Sequence, residues 1–141
     1  MKVNHIGMAV PSIEEFLAKN ELLYGTFRRG PMIVNEIQDV REMFITDGSV
    51  VLELLEPMSE NSPVAGFLRR NRGGGLIHVA FDVADLAKTL ADVRRAGGRV
   101  IVDPVRDVAF DQRRIAFVML NGQLTELIET GEPSSTHRET K

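Results

Sequence analysis

One spacing constrains this chain more than any other property: the sequence repeats itself after 73 residues. His5 opens "HIGMAVPSI" and His78 opens "HVAFDVADL". Glu53 lies in "VLELLE" and Glu126 in "LTELIE" at the same offset, and so do Phe44 and Phe117, each inside a short apolar run. Equal offsets at the start, middle and end of a segment indicate two copies of one supersecondary unit. With 141 residues and 43% hydrophobic content, the chain makes one compact domain or two half-domains sharing a core.

The unit is legible from pattern. "KVNHIGMAV" alternates as a strand, and "PSIEEFLAKNELLYG" follows as a helix. Ser12 and Glu15 form an S-x-x-E capping box, and Ile13, Phe16, Leu17 and Tyr24 fall on one helical face. "MIVNEIQ", "REMFIT" and "SVVLELLEP" are expected as strands, with Asp47-Gly48 turning the last two into a hairpin. The second copy keeps the order. "LIHVAFDV" is a strand, and "ADLAKTLADVRRAGG" is a helix with Leu86, Leu90 and Val93 on one face. "RVIVDPVRD", "RRIAFVML" and "QLTELIE" are strands, the last two joined by a tight Asn121-Gly122 turn. The expected fold is α+β: two tandem βαβββ modules, residues 1–60 and 76–130. Residues 61–75 join them as a short helix, with Ser62 as cap and Pro63 in the first turn, and a glycine linker.

Composition removes several classes of function. A net charge of -3 gives no electrostatic reason to bind nucleic acid. The absence of cysteine excludes disulfides, thiolate metal sites and thiol nucleophiles. No apolar run approaches the ~20 residues that span a bilayer, and "MKVNHIGMAV" turns polar too soon for a secretory signal. A cytoplasmic protein is expected. Residues 131–141 read as a polar tail in which His137 is solvated and without function.

Strand alternation then sorts the repeated residues. His5 shares a face with Gly7 and Ala9, and His78 shares one with Ala80 and Asp82. Each histidine thus sits on a face cleared of bulk, which leaves room for a ligand, while the opposite apolar face packs under the helix. Glu53 lies between Val51 and Leu55, and Glu126 between Leu124 and Ile128, on their own faces. An ionised carboxylate among apolar neighbours is costly to bury unless it is paired or bound to metal. Taken alone, each histidine reads as a hydrogen-bonded core residue and each glutamate as an edge charge. Four of them at symmetry-related positions make a stronger case. A pseudo-twofold axis between the copies would let them converge, and imidazole with carboxylate suits a divalent transition metal. Glu56 and Glu129 repeat as well, on the opposite face at strand ends, where salt-bridge or solvent roles are expected.

The stretches "VNHIGMAVPSIEE", "VVLELLEPMSENSPVAGFLRRN", "GGGLIHVAFDVADL" and "LTELIE" resemble the vicinal oxygen chelate superfamily, the glyoxalase, bleomycin resistance and dioxygenase group. Within it, the sequence is most similar to the methylmalonyl-CoA epimerase-like branch, over about residues 3–130. The resemblance implies a curved mixed sheet around a central cleft, and one divalent ion (Co, Mn, Ni, Zn or Fe) held by His5, Glu53, His78 and Glu126. It further implies a small-molecule substrate, an acyl-CoA among the candidates, whose alpha proton a protein base removes. It also implies a homodimer. Glu126 counts as catalytic as well as a ligand. Glu36, in "NEIQDVRE", is the nearest match to the base, with Glu42 second.

Other activities of the same fold stay open. A glyoxalase I-type lyase or a ring-cleaving dioxygenase would use His5, His78 and Glu126 as a two-histidine, one-carboxylate triad, although Glu53 as a fourth ligand would fill a position that oxygen needs. A metal-free drug-binding or resistance protein is the third reading. The basic runs "RRNR" (69–72) and "RRAGGR" (94–99), with Arg113 and Arg114, read as solvated ends of helices and strands.

Overall fold

A computed structural model of the chain describes residues 1–130; the polar tail 131–141, and His137 with it, lies outside the described residues. The architecture is mixed α+β, mostly strands with few helices. The chain divides into two compact units, one of His5–Ile77 and one of Met1–Asn4 with His78 onward.

In the first unit, β1 (Lys2–Ala9) leads into α1 (Ile13–Lys19) and the single turn α2 (Glu21–Tyr24). The sequence suggests one helix here. Asn20 divides it, with a non-helical backbone and its side-chain amide turned back onto the Phe16 carbonyl at 2.8 Å. Ser12 caps α1 by accepting from the Glu15 amide. Then come β2 (Arg28–Arg29), β3 (Ile33–Asn35), β4 (Val40–Thr46) and β5 (Val51–Pro57), followed by α3 (Pro63–Arg70). Strand order is β2-β4-β5-β1, and β3 lies on β4 as well. The expected strand 32–38 is shorter than its pattern suggests. Residues 36–39 are turn, and β2 is an additional strand.

In the second unit, β6 (Gly75–Val83) is followed by α4 (Leu86–Arg95), β7 (Arg99–Asp107), β8 (Arg113–Leu120) and β9 (Gln123–Glu129), in the order β6-β9-β8-β7. A single long β7 thus stands where β2 and β3 stand in the first unit. Pro31 separates β2 from β3, and Pro104, 73 residues on in sequence, falls where the β7–β8 register slips between Val102 and Val105. Proline has no N–H to give the ladder, so both copies break at the same place.

Register makes the internal equivalence quantitative. In the parallel pairs, Gly7 lies opposite Glu53 and Ala80 opposite Glu126. In the antiparallel pairs, Phe44 faces Glu53 and Phe117 faces Glu126. Each unit covers one sheet face with its helix. Val10, Ile13, Leu17, Ile45, Leu52 and Leu54 pack together in the first, and Val83, Leu86, Leu90, Val93, Val118 and Leu127 in the second. The histidines and glutamates lie on the other face. Asn121 and Gly122 both have positive φ, as the two-residue hairpin predicted there requires. Among the described residues, no helix is long and apolar enough to cross a membrane.

Candidate functional site

Each unit places one imidazole against one carboxylate. In the first, His5 Nε2 and Glu53 Oε1 are 2.9 Å apart. In the second, His78 Nε2 and Glu126 Oε1 are 3.3 Å apart. All four residues are buried, the most exposed being His78 at 6%. The sheet explains how they meet. Gly7 and Ala80 are the parallel neighbours of the two glutamates and carry little or no side chain, so each carboxylate reaches over them to the histidine two residues earlier on the strand. On the other side a phenylalanine closes the position. Phe44 meets the His5 ring edge-on with centroids 5.4 Å apart, and Phe117 does the same to His78 at 5.4 Å. Packing of this kind fixes ring orientation and keeps water away.

These pairs fit a metal. Bond lengths of about 2.0–2.2 Å place two ligands of one ion roughly 3.0 Å apart at a right angle and about 3.4 Å apart at the tetrahedral angle. The observed 2.9 and 3.3 Å lie at those separations. Two imidazoles and two carboxylates are a donor set that could hold a metal ion, and one that suits a divalent transition metal rather than calcium.

The two candidate bases are placed very differently. Glu36 is exposed in the turn between β3 and β4. Glu42, on β4, is 2% exposed. It lies opposite Leu55, one position along the same strand face from the Phe44–Glu53 pair. Its Oε2 accepts a hydrogen bond from Asn35 Nδ2 at 3.0 Å, buried on both sides. Asn35 was not singled out from the sequence. The signal that could have drawn attention to Glu42 is the repeat itself, since 73 residues on stands Ile115. Asn35 gave no such signal, because the β7–β8 register slips and its ladder counterpart is Asp107 rather than the residue 73 positions on.

Glu56 and Glu129 face the helices. Glu56 accepts from the Ile13 amide at 2.9 Å and pairs with Arg41 at 3.2 Å. Glu129 accepts from the Leu86 amide at 3.0 Å and pairs with Arg114 at 3.1 Å. Each is a strand-borne cap for a helix start, satisfying an N–H that has no partner within the helix.

Comparison with known proteins agrees with this geometry. Residues 4–117 match the Glyoxalase/Bleomycin resistance protein/Dioxygenase superfamily. The ethylmalonyl-CoA/methylmalonyl-CoA epimerase of Cereibacter sphaeroides is 31% identical over 129 residues, covering 89% of this chain and 96% of that one. An uncharacterised Bacillus subtilis protein, YqjC, is 35% identical over 140 residues, covering 96% and 98%. Among solved structures, a Streptomyces coelicolor methylmalonyl-CoA epimerase variant in complex with 2-nitronate-propionyl-CoA superposes with a TM-score of 0.77 at 33% identity, covering 94% of this chain and 99% of that one. By sequence, fold and the kind of donors it buries, the chain belongs to the Glyoxalase/Bleomycin resistance protein/Dioxygenase superfamily, in its methylmalonyl-CoA epimerase-like branch, and is an enzyme of the vicinal oxygen chelate type.

Proposed function

We propose that His5, Glu53, His78 and Glu126 together hold one divalent ion and that the chain epimerises the carbon alpha to the thioester carbonyl of a 2-substituted acyl-CoA, of which methylmalonyl-CoA and ethylmalonyl-CoA are the first to try. The observation that carries this reading is the occurrence of two identical buried His–Glu pairs in a chain of the epimerase-like branch. An ion bound there would supply Lewis acidity toward a substrate oxygen. The residues supply the rest. Two carboxylates leave the donor set formally neutral around a divalent charge, so an anionic substrate is accepted without heavy charge build-up. The phenylalanine edges hold the imidazoles in one orientation.

Glu42 suits the base better than Glu36, because it is enclosed on the Glu53 face of β4 while Glu36 is exposed in a turn. Its carboxylate takes the alpha proton and becomes a carboxylic acid. The electron pair of the broken C–H bond moves into the thioester carbonyl group, and a second group returns a proton on the opposite side. Cytoplasmic placement and assembly as a homodimer belong to the same reading and rest on the likeness to that branch.

The test is loss of the alpha-proton NMR signal of methylmalonyl-CoA and ethylmalonyl-CoA in D₂O. Exchange is expected to depend on added Co²⁺, Mn²⁺, Ni²⁺, Zn²⁺ or Fe²⁺ and to vanish in His78→Ala. Equal exchange by metal-free protein would overturn the mechanism. No exchange with metal bound would transfer the site to the lyase, dioxygenase or binding readings.

A further inference from the structure

Among the described residues of the second unit, the ladder counterpart of Asn35, opposite Val40, is the buried Asp107, opposite Arg113, but the counterpart of Glu42 is Ile115, so the buried Asn35–Glu42 amide–carboxylate pair is not repeated. Glu42 lies opposite Leu55 in the β4–β5 ladder, and Ile115 lies opposite Ile128 in the equivalent β8–β9 ladder. Ile115 is 0% exposed and packs with Ala80 and Ile128. The same backbone position on the same kind of sheet face is therefore filled by a hydrocarbon in one copy and by a hydrogen-bonded carboxylate in the other. Packing at this position does not demand the acid, since the second unit holds an isoleucine there. Burying a carboxylate costs free energy that a hydrocarbon at the same place does not.

Asn35 is itself held in one orientation. Its Oδ1 accepts from the Gln38 backbone N–H at 3.1 Å, in the turn that joins β3 to β4. With the carbonyl side committed to Gln38, only the NH₂ group is left to face Glu42, and it donates to Oε2 at 3.0 Å. An ionised carboxylate is an acceptor only, so both ends of the amide are of the correct sense. The bond from Asn35 to Oε2 thereby restrains the plane of the Glu42 carboxylate.

We propose that Asn35 is a positioning residue: anchored by the Gln38 amide, it aims the Glu42 carboxylate for proton transfer. This rests on the reading of Glu42 as the base. The role predicts a kinetic signature that a purely structural role would not give. Asn35→Ala is expected to lower kcat for alpha-proton exchange on methylmalonyl-CoA by roughly 10–100-fold, the usual effect of a small misplacement of a reacting group, with KM near the wild-type value. In a Glu42→Gln background, Asn35→Ala should lower the rate no further, because its effect passes through the carboxylate.

The exchanged pair Asn35→Asp with Glu42→Gln restores a buried amide–carboxylate hydrogen bond, so it should recover melting temperature without recovering rate. An activity-free measurement accompanies these. In ¹⁵N-labelled protein the Asn35 side-chain NH₂ signals should be protected from solvent exchange and should move on Glu42→Gln. Unprotected NH₂ signals, or Asn35→Ala at full rate while Glu42→Gln is slow, would overturn the positioning role alone. Glu42→Gln at full rate, or a wild-type protein inactive on methylmalonyl-CoA, would overturn the base reading and the positioning role with it. If Asn35→Ala does not fold, the single variant Asn35→Asp, which keeps the acceptor for Gln38 but sets a second carboxylate against Glu42, should show the same fall in kcat. Full activity in that variant would also overturn the role.

Discussion

Four side chains with a strong affinity for water, His5, Glu53, His78 and Glu126, are each no more than 6% exposed. The neighbours that enclose them are apolar: Phe44 and Phe117 on one side, Gly7 and Ala80 on the other. Such an enclosure is tolerable when opposite charges are shared at close range. Purified protein loaded with Co²⁺ and freed of excess is therefore expected to hold one ion per chain by elemental analysis. Glu53→Ala and Glu126→Ala should each weaken retention by about 10-fold or more, a loss comparable to that of outer-shell partners at such sites. Stoichiometric ion in the double variant would place the ion elsewhere. A second prediction separates the candidate bases. Glu42→Gln should slow alpha-proton exchange by roughly 10²–10⁴-fold, while Glu36→Gln, in its exposed turn, should leave the rate within about twofold. The reverse result would return the role to Glu36.

At the level of elements, the strand-to-helix caps invite a matched pair of substitutions. Glu56 and Glu129 each join a helix N-terminus to an arginine on the adjacent strand. Glu56→Ala and Glu129→Ala should each cost about 1–2 kcal/mol in chemical denaturation, in proportion to the hydrogen bonds removed. A change in metal affinity from either would show that these residues belong to the site rather than to the scaffold. The β4–β5 hairpin carries a pH dependence of its own. The N–H groups of Val50 and then Ser49 donate to the Asp47 carboxylate and hold its carboxyl below the ordinary carboxylate range. Those bonds favour the charged form. Their contribution is thus complete above the unfolded-state value and is lost as pH falls through the lowered folded value. NMR titration of Asp47 should show this, and Asp47→Ala should remove the corresponding acid-side loss of amide protection at Ser49 and Val50. Much of this layer was readable beforehand. Ser12, Ser62 and the Asn121-Gly122 turn all stand where pattern placed them, because capping and hairpin chemistry are local. The failures are local too. Asn20 breaks a helix whose apolar spacing continues past it, and the run 32–38 alternates like a strand although its last residues turn. Periodicity reports which residues want burial, not where the backbone ends its ladder.

For the whole molecule, the decisive perturbation is to supply a divalent ion and then withdraw it with chelator. An ion that prefers the folded chain raises stability by mass action, about 2.7 kcal/mol at a hundredfold excess over Kd. Excess chelator should therefore lower Tm by several degrees in wild-type protein and by almost nothing in His5→Ala. An unchanged Tm in wild-type protein would favour the metal-free binder. The two buried His–Glu pairs were legible in sequence because they repeat. Glu42 stands second among the bases the sequence offers, and Asn35 is not legible there, because at Glu42 the repeat fails and at Asn35 its spacing slips by one residue, and a search for sameness passes over such a difference. That difference has a practical consequence for mutagenesis. Since the β1–β5–β4 and β6–β9–β8 ladders share order and register, each side chain on those strands has an internal control in the other unit, under identical solvent, expression and folding conditions. Substitutions at Glu56 and Glu129 should track one another, as should those at Phe44 and Phe117. Glu42 and Ile115 should diverge, with the first scored by catalysis and the second by stability. A paired deep scan read this way would sort chemistry from architecture within a single polypeptide, without a homologue for reference.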